Sequence, residues 1–73
     1  GLIPQEKKDL QGLIDHLRQQ YGVTVLLIEH DMGLVMGVSE RILVMEYGKP
    51  IALGTPDAVR SDERVIKAYL GEA

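Results

Sequence analysis

The chain has no cysteine, no phenylalanine and no tryptophan among its 73 residues. Without cysteine, neither a disulfide nor a thiolate zinc site can brace so short a chain. Three tyrosines are the only aromatic residues, so any core is built from Leu, Ile, Val and Met. No apolar run approaches the roughly 20 residues needed to span a bilayer, and no signal peptide is visible. Eight Lys and Arg against eleven Asp and Glu give a net charge of −3, with no basic cluster. That argues against nucleic acid, which favours a basic stripe. No glycine-rich phosphate loop of the form Gly, four residues, Gly-Lys-Ser/Thr occurs: Gly48-Lys49 is followed by Pro50 and lacks cradling glycines before it. A hydrophobic content of 45% is nevertheless a globular value. A chain this short buries only about 60% of its unfolded surface, so one marginal domain is the most it can make.

What is present is ordered. Pro4 suits the first position of a helix, and few breakers follow up to Gln20. Leu10, Leu13, Ile14, Leu17 and Tyr21 recur on one helical face, opposite Glu6, Lys7, Lys8, Asp15 and Arg18. Gly12 weakens this helix by ~1 kcal/mol relative to alanine, and Gly22 is placed to end it as a left-handed cap. Residues 23–28, Val-Thr-Val-Leu-Leu-Ile, are continuously apolar rather than alternating. They predict a strand buried on both faces, of the kind found in parallel sheets. Glu29, His30 and Asp31 follow at once, and ligands of open parallel sheets sit just beyond the carboxyl ends of the strands.

Asp31 is expected to cap a short helix from Met32 to about Val38. A second strand, 41–46, leads through a tight turn at Gly48-Lys49 to a returning strand, 50–53. Thr55 and Pro56 open a short helix reaching Arg60, and Ser61 is expected to cap the last one, with Val65, Ile66, Tyr69 and Leu70 on its apolar face. The expected order is therefore helix, strand, helix, strand, strand, helix, helix. It fits an α/β chain with a parallel pair extended by a hairpin.

The residues around His30 carry a family resemblance. Leu27-Ile28-Glu29-His30-Asp31-Met32, Leu34-Val35-Met36 and Ser39-Glu40-Arg41-Ile42 resemble the switch-histidine loop and following strand of ABC transporter ATPases. The nearest likeness is to the subfamily serving branched-chain amino acid importers. Tyr47-Gly48-Lys49-Pro50-Ile51-Ala52, Gly54-Thr55-Pro56 and Val65-Ile66-Lys67-Ala68-Tyr69-Leu70-Gly71 resemble that subfamily's C-terminal end. Gly1-Leu2-Ile3-Pro4 looks like the remnant of the D-loop. The resemblance implies a single partial domain, 1–73, the C-terminal part of a P-loop NTPase fold. Within it, 1–4 is the D-loop remnant, 29–32 the switch-histidine loop and 56–71 the C-terminal helices. The family's Walker A, signature and Walker B motifs would lie upstream, so the chain is expected to be a C-terminal fragment.

By the same resemblance His30 reaches the γ-phosphate of ATP, and Asp31 orders the loop that holds it. The intact protein would be an ATPase using ATP and Mg. It would work with a second ATPase subunit and with membrane permease subunits, on the cytoplasmic face of the plasma membrane. Gly1 and Leu2 would lie near the partner's ATP. Where many members have Asp or Asn, this chain has Ile3, which removes the polar group proposed to cross the interface. The isolated 73 residues are expected to be inactive, to need no cofactor and to associate with their own kind.

Along a strand, side chains alternate, so Glu29 should point away from His30 and serve as a surface or supporting residue, not a general base. Three consecutive residues on extended backbone cannot readily converge on one ion, and His16 stands at no ligand spacing from His30, so no metal site is expected. Met32, Met36 and Met45 suit a core. The alternative to a transporter motor is a small non-enzymatic α/β interaction module.

Overall fold

The computed structural model describes residues 2–71. They fall into two compact units, one ending at Val38 and the other beginning at Ser39.

In the first unit, helix α1 spans Pro4–Tyr21. Pro4 stands in its first turn, and the Glu6 carboxylate reaches back to accept the Ile3 N–H at 3.0 Å. One of the helix's orphan donors is thereby satisfied. Gly22 closes the helix at φ 63°, its N–H donating to the Arg18 carbonyl at 3.0 Å, the left-handed cap expected of it. Helix α2 spans Met32–Val38. Leu34 and Val38 from α2 pack with Ile14 from α1, and half-buried Leu10 and Leu27 close the cluster.

The expected five-residue apolar face of α1 is only partly used. Ile14 is buried, but Leu13 is 53% and Tyr21 69% exposed. Length explains this. At ~1.5 Å per residue, seven-residue α2 covers about 10 Å of a helix about 27 Å long. Where the two helices cross, Gly37 lies against Gln11. A Cβ at Gly37 would come within 2.6 Å of the Gln11 amide nitrogen, so the glycine permits the close approach.

The expected strand at 23–29 does not form: residues 22–29 carry no regular structure. Val23, Val25, Leu26 and Ile28 are exposed, Leu26 and Ile28 almost fully, and Leu27 alone of the run packs on the core. A strand is defined by the hydrogen bonds of a neighbour, and no strand among the described residues pairs with this segment. The parallel pair is accordingly absent among the described residues, and the order runs helix, helix, strand, strand, helix, helix.

The second unit is built on an antiparallel hairpin, β1 at Ile42–Glu46 and β2 at Lys49–Gly54. Its turn is Tyr47-Gly48, one residue earlier than expected, because Lys49 already pairs with Glu46. Tyr47 at φ 50° and Gly48 at φ 74° are both left-handed. Two such residues give a turn whose twist matches the strands it joins. Val44 faces Ala52 while Met45 faces Pro50, which leaves Ile51 as an extra residue, a bulge.

Ile42 and Val44 point inward, where Val59 of α3 (Pro56–Arg60) and Val65 of α4 (Glu63–Val65) are also buried. Thr55 Oγ1 accepts the Ala58 N–H at 3.2 Å, the expected cap of α3. The cap of α4 is Asp62 rather than Ser61. The Ser61 hydroxyl donates back to the Asp57 carbonyl at 3.0 Å, while Asp62 Oδ1 accepts the Arg64 N–H at 2.8 Å. Ser61 still belongs to the end of α3, so the next residue takes the role. The expected last helix is three α-helical residues continued by a π-helical turn, Ile66–Leu70. Of its expected apolar face, Val65 is buried and Ile66 half-buried, while Tyr69 and Leu70 stay exposed. The Tyr69 hydroxyl donates to the carbonyl of Met45, tying the turn to the hairpin beside its bulge.

Tyr47 is 95% exposed and held in a conformation that costs a side chain with a Cβ. Tyr47→Asn is expected to stabilise the hairpin by about 1 kcal/mol, since asparagine tolerates this region and little packing is lost. A rise in the urea midpoint supports this; an unchanged or lower midpoint contradicts it.

Candidate functional site

All the candidate residues that the structure describes lie in the first unit, around one shallow hollow. Leu2, Lys7, Glu29, His30, Asp31 and Leu34 line it, with a volume of ≈ 270 Å³. Leu2 and Lys7 come from the chain start and the first turns of α1. The other four come from the end of the extended segment and the start of α2. The topology thus brings Leu2 and residues 29–31, 27 or more residues apart in the chain, to one place. Gly1, the other candidate residue at this end, lies outside the described residues.

Asp31 is the anchor of the loop. Its Oδ1 accepts the Leu34 N–H at 3.0 Å, and its own carbonyl accepts the Val35 N–H at 3.0 Å, which starts α2. Its other carboxylate oxygen forms an ion pair with Lys7 Nζ. The Lys7 hydrogen bond, and after it the Leu34 N–H, hold the Asp31 carboxyl below the usual carboxylate range. The expected cap is therefore present, with an added tie to α1. The sequence placed Lys7 only on the charged face of α1. One signal could have found the tie: Lys7 lies one turn before Leu10, whose side chain packs toward α2.

His30 stands next to this anchor with its side chain 91% exposed. Its backbone N–H donates to Glu29 Oε1 at 2.9 Å, and its Nε2 lies 3.5 Å from the same oxygen. The expectation that Glu29 points away from His30 is therefore wrong. Alternation belongs to a strand, and without one the Glu29 carboxylate turns back onto its neighbour's backbone. Among the described residues no group of His, Asp and Glu is placed to hold a metal ion. His16 instead stacks edge-on against Tyr21, ring centres 6.3 Å apart.

The hollow can offer an imidazole donor to an anion. Its carboxylates, Glu29 and Asp31, lie beside His30 and Lys7, and the Lys7 ammonium is engaged by Asp31. Gly48-Lys49 sits on the hairpin turn and the start of β2, so it forms no phosphate cradle.

Comparison with known proteins gives this arrangement a context. The family described as branched-chain amino acid ATP-binding cassette transporter matches residues 49–73. The high-affinity branched-chain amino acid transport ATP-binding protein LivG of Escherichia coli is 56% identical over all 73 residues, which cover 29% of that relative. BraF of Pseudomonas aeruginosa, with the same description, is 58% identical over the same span and share. The lipopolysaccharide export system ATP-binding protein LptB of Escherichia coli is 38% identical over 72 residues, 99% of this chain and 30% of the relative. No solved structure matches. The chain spans less than a third of the length of these relatives. It belongs to the ATP-binding proteins of ABC transporters and, among them, to the branched-chain amino acid family, whose C-terminal part it matches.

The lowered pKa of Asp31 makes the first unit sensitive to acid. Its carboxyl titrates lower when folded than when unfolded, so its stabilisation is complete above the unfolded value of about 4. That stabilisation is lost as pH falls through the lower, folded value. Asp31→Asn is expected to lower the urea midpoint at pH 7 and to narrow the gap between pH 7 and pH 3. Helicity followed by circular dichroism measures both. An undiminished gap in the variant contradicts the assignment.

Proposed function

We propose that this chain is the C-terminal part of the ATP-binding, ATP-hydrolysing subunit of an ABC importer for branched-chain amino acids. In it, His30 is the switch histidine that contacts the γ-phosphate. The observation that carries this is the identity of 56–58% along the whole chain to two branched-chain amino acid transport ATP-binding proteins. The exposed imidazole of His30, on a loop anchored by Asp31 and beside Leu2, supports the role.

The chemistry follows from the side chain. Phosphoryl transfer depends on positioning and on donors aimed at developing charge. An imidazole N–H at the end of an anchored loop is such a donor. Asp31 supports it by holding the loop. Leu2, with Gly1, belongs to the segment that would approach the partner subunit's nucleotide. ATP and Mg would be gripped by parts of the longer protein outside these 73 residues. That protein would pair with a second ATPase subunit and dock on membrane permease subunits from the cytoplasmic side. Residues 23–28 would then become an interior strand of the P-loop NTPase sheet, which accounts for a continuous apolar run that is exposed here. The whole stretch, 1–73, is one partial domain on this reading.

In the longer protein, His30→Ala is expected to lower the hydrolysis rate by about 10²–10³, the usual cost of losing one donor to transition-state charge. Nucleotide affinity should change little. Steady-state hydrolysis and calorimetry with Mg-ATP measure the two. Calorimetry on the 73 residues alone should show no micromolar site. Full hydrolysis in the variant, or tight binding by the chain alone, would refute the proposal.

The chain alone should self-associate. Leu26 and Ile28 are 87% and 89% exposed, and the outer face of the hairpin exposes Leu43, Met45 and Leu53. Exposed apolar faces and unpaired strand edges both drive association, against the mild repulsion of two chains at −3 each. Light scattering coupled to size exclusion across a dilution series is expected to show a dimer or larger species. A folded monomer near millimolar concentration would count against it.

A further inference from the structure

The ion pair between Lys7 and Asp31 links two segments that the fold has no other polar reason to join. Lys7 lies in the early turns of α1, and Asp31 begins α2, 24 positions later. The intervening extended segment has one side chain, Leu27, in the core. A loop carried by such a segment would swing unless something fixed its far end. The Asp31 carboxylate does so with both oxygens: Oδ1 takes the Leu34 N–H, and Oδ2 takes the Lys7 ammonium. The two side chains are only 37% and 23% exposed, so water screens the pair incompletely. His30 is the residue immediately before this double anchor. Among the described residues its own polar contacts run to Glu29, so its place in space is inherited from Asp31.

We propose that Lys7 is a positioning residue for His30. It acts through Asp31 to hold the histidine loop against the start of α1, at the edge of the hollow that Leu2 also lines. The consequence is a mechanical link between the D-loop remnant and the histidine. Pro4, Gln5 and Glu6 separate Leu2 and Ile3 from Lys7, and α1 is helical from Pro4. A shift of residues 2–3 is therefore passed to Lys7 by rigid helix, and from Lys7 to the loop by the ion pair. The catalytic meaning of this tie rests on the reading of His30 as a phosphate donor; its structural part does not.

Two measurements separate these parts. The first uses the ring resonances of the two histidines in the 73-residue chain, with His16→Gln to assign them. Lys7→Met is expected to shift and broaden the His30 ring signals and to leave His16 in place. Lys7→Arg, which keeps the charge, should restore them. The second uses hydrolysis by the longer protein. Lys7→Met should lower kcat by roughly 10-fold to 100-fold, the scale of a misplacement near 1 Å, with KM for ATP within about twofold. Lys7→Arg should recover most of the loss. In a background already carrying His30→Ala, Lys7→Met should add nothing further.

Unmoved His30 signals in Lys7→Met overturn the tie, and so does a Lys7→Arg that fails to restore them. If Lys7→Met does not fold, Lys7→Gln, which keeps the aliphatic stem without the charge, is read in its place. If the signals move but His30→Ala hydrolyses normally, the tie stands and the phosphate role of His30 falls. If His30→Ala is inactive while Lys7→Met keeps full kcat, the positioning role falls and the phosphate role stands.

Discussion

One carboxylate organises the first unit. Asp31 ends an extended segment, starts α2 and meets Lys7 of α1, all through two oxygens. Each of these contacts depends on the others. Without the Leu34 N–H, the carboxylate would be free to rotate away from Lys7. Without Lys7, it would cap α2 but leave the segment before it unheld. The apolar cluster of Ile14, Leu34 and Val38 then fixes the separation of the helices, and Gly37 against Gln11 lets them come close. Hydrophobic burial supplies the attraction here, and the charged anchor supplies the register.

The second unit solves a different problem by similar means. A two-stranded hairpin is marginal alone, so its inward face must be covered. Val59 and Val65, the most deeply buried side chains described, provide that cover from two very short helices. Helices of five and three residues cannot stand by propensity. They are held by caps at Thr55 and Asp62 and by the Tyr69 hydroxyl on the Met45 carbonyl. The π-helical turn lies where that tyrosine must reach the hairpin.

Exposure of an apolar run has a direct physical meaning in this chain. Residues 23–28 have the composition of an interior strand and the surroundings of a loop. Composition reflects the protein in which a segment works, whereas hydrogen bonding reflects the partners at hand. The same contrast explains Glu29. Its expected direction was inferred from alternation, and alternation vanished with the strand.

Much of the local chemistry was legible in the sequence where the interacting groups lie within one turn of each other. Pro4, the Gly22 cap, the Asp31 cap and the Thr55-Pro56 start all follow from contacts between residues at most four apart. The histidine itself stood out because three titratable residues closed an apolar run. The missed features are of two kinds. The cap at Asp62 rather than Ser61, and the turn at Tyr47-Gly48, are shifts of one residue in which neighbouring polar groups competed. The Lys7–Asp31 pair and the Tyr69 bond to Met45 were decided by tertiary placement, and the return of Glu29 onto His30 by the lack of a pairing strand among the described residues. A sequence lists which groups can pair, but which pairs form depends on distances that only the packing of α1 on α2, and of the last turn on the hairpin, brings within reach.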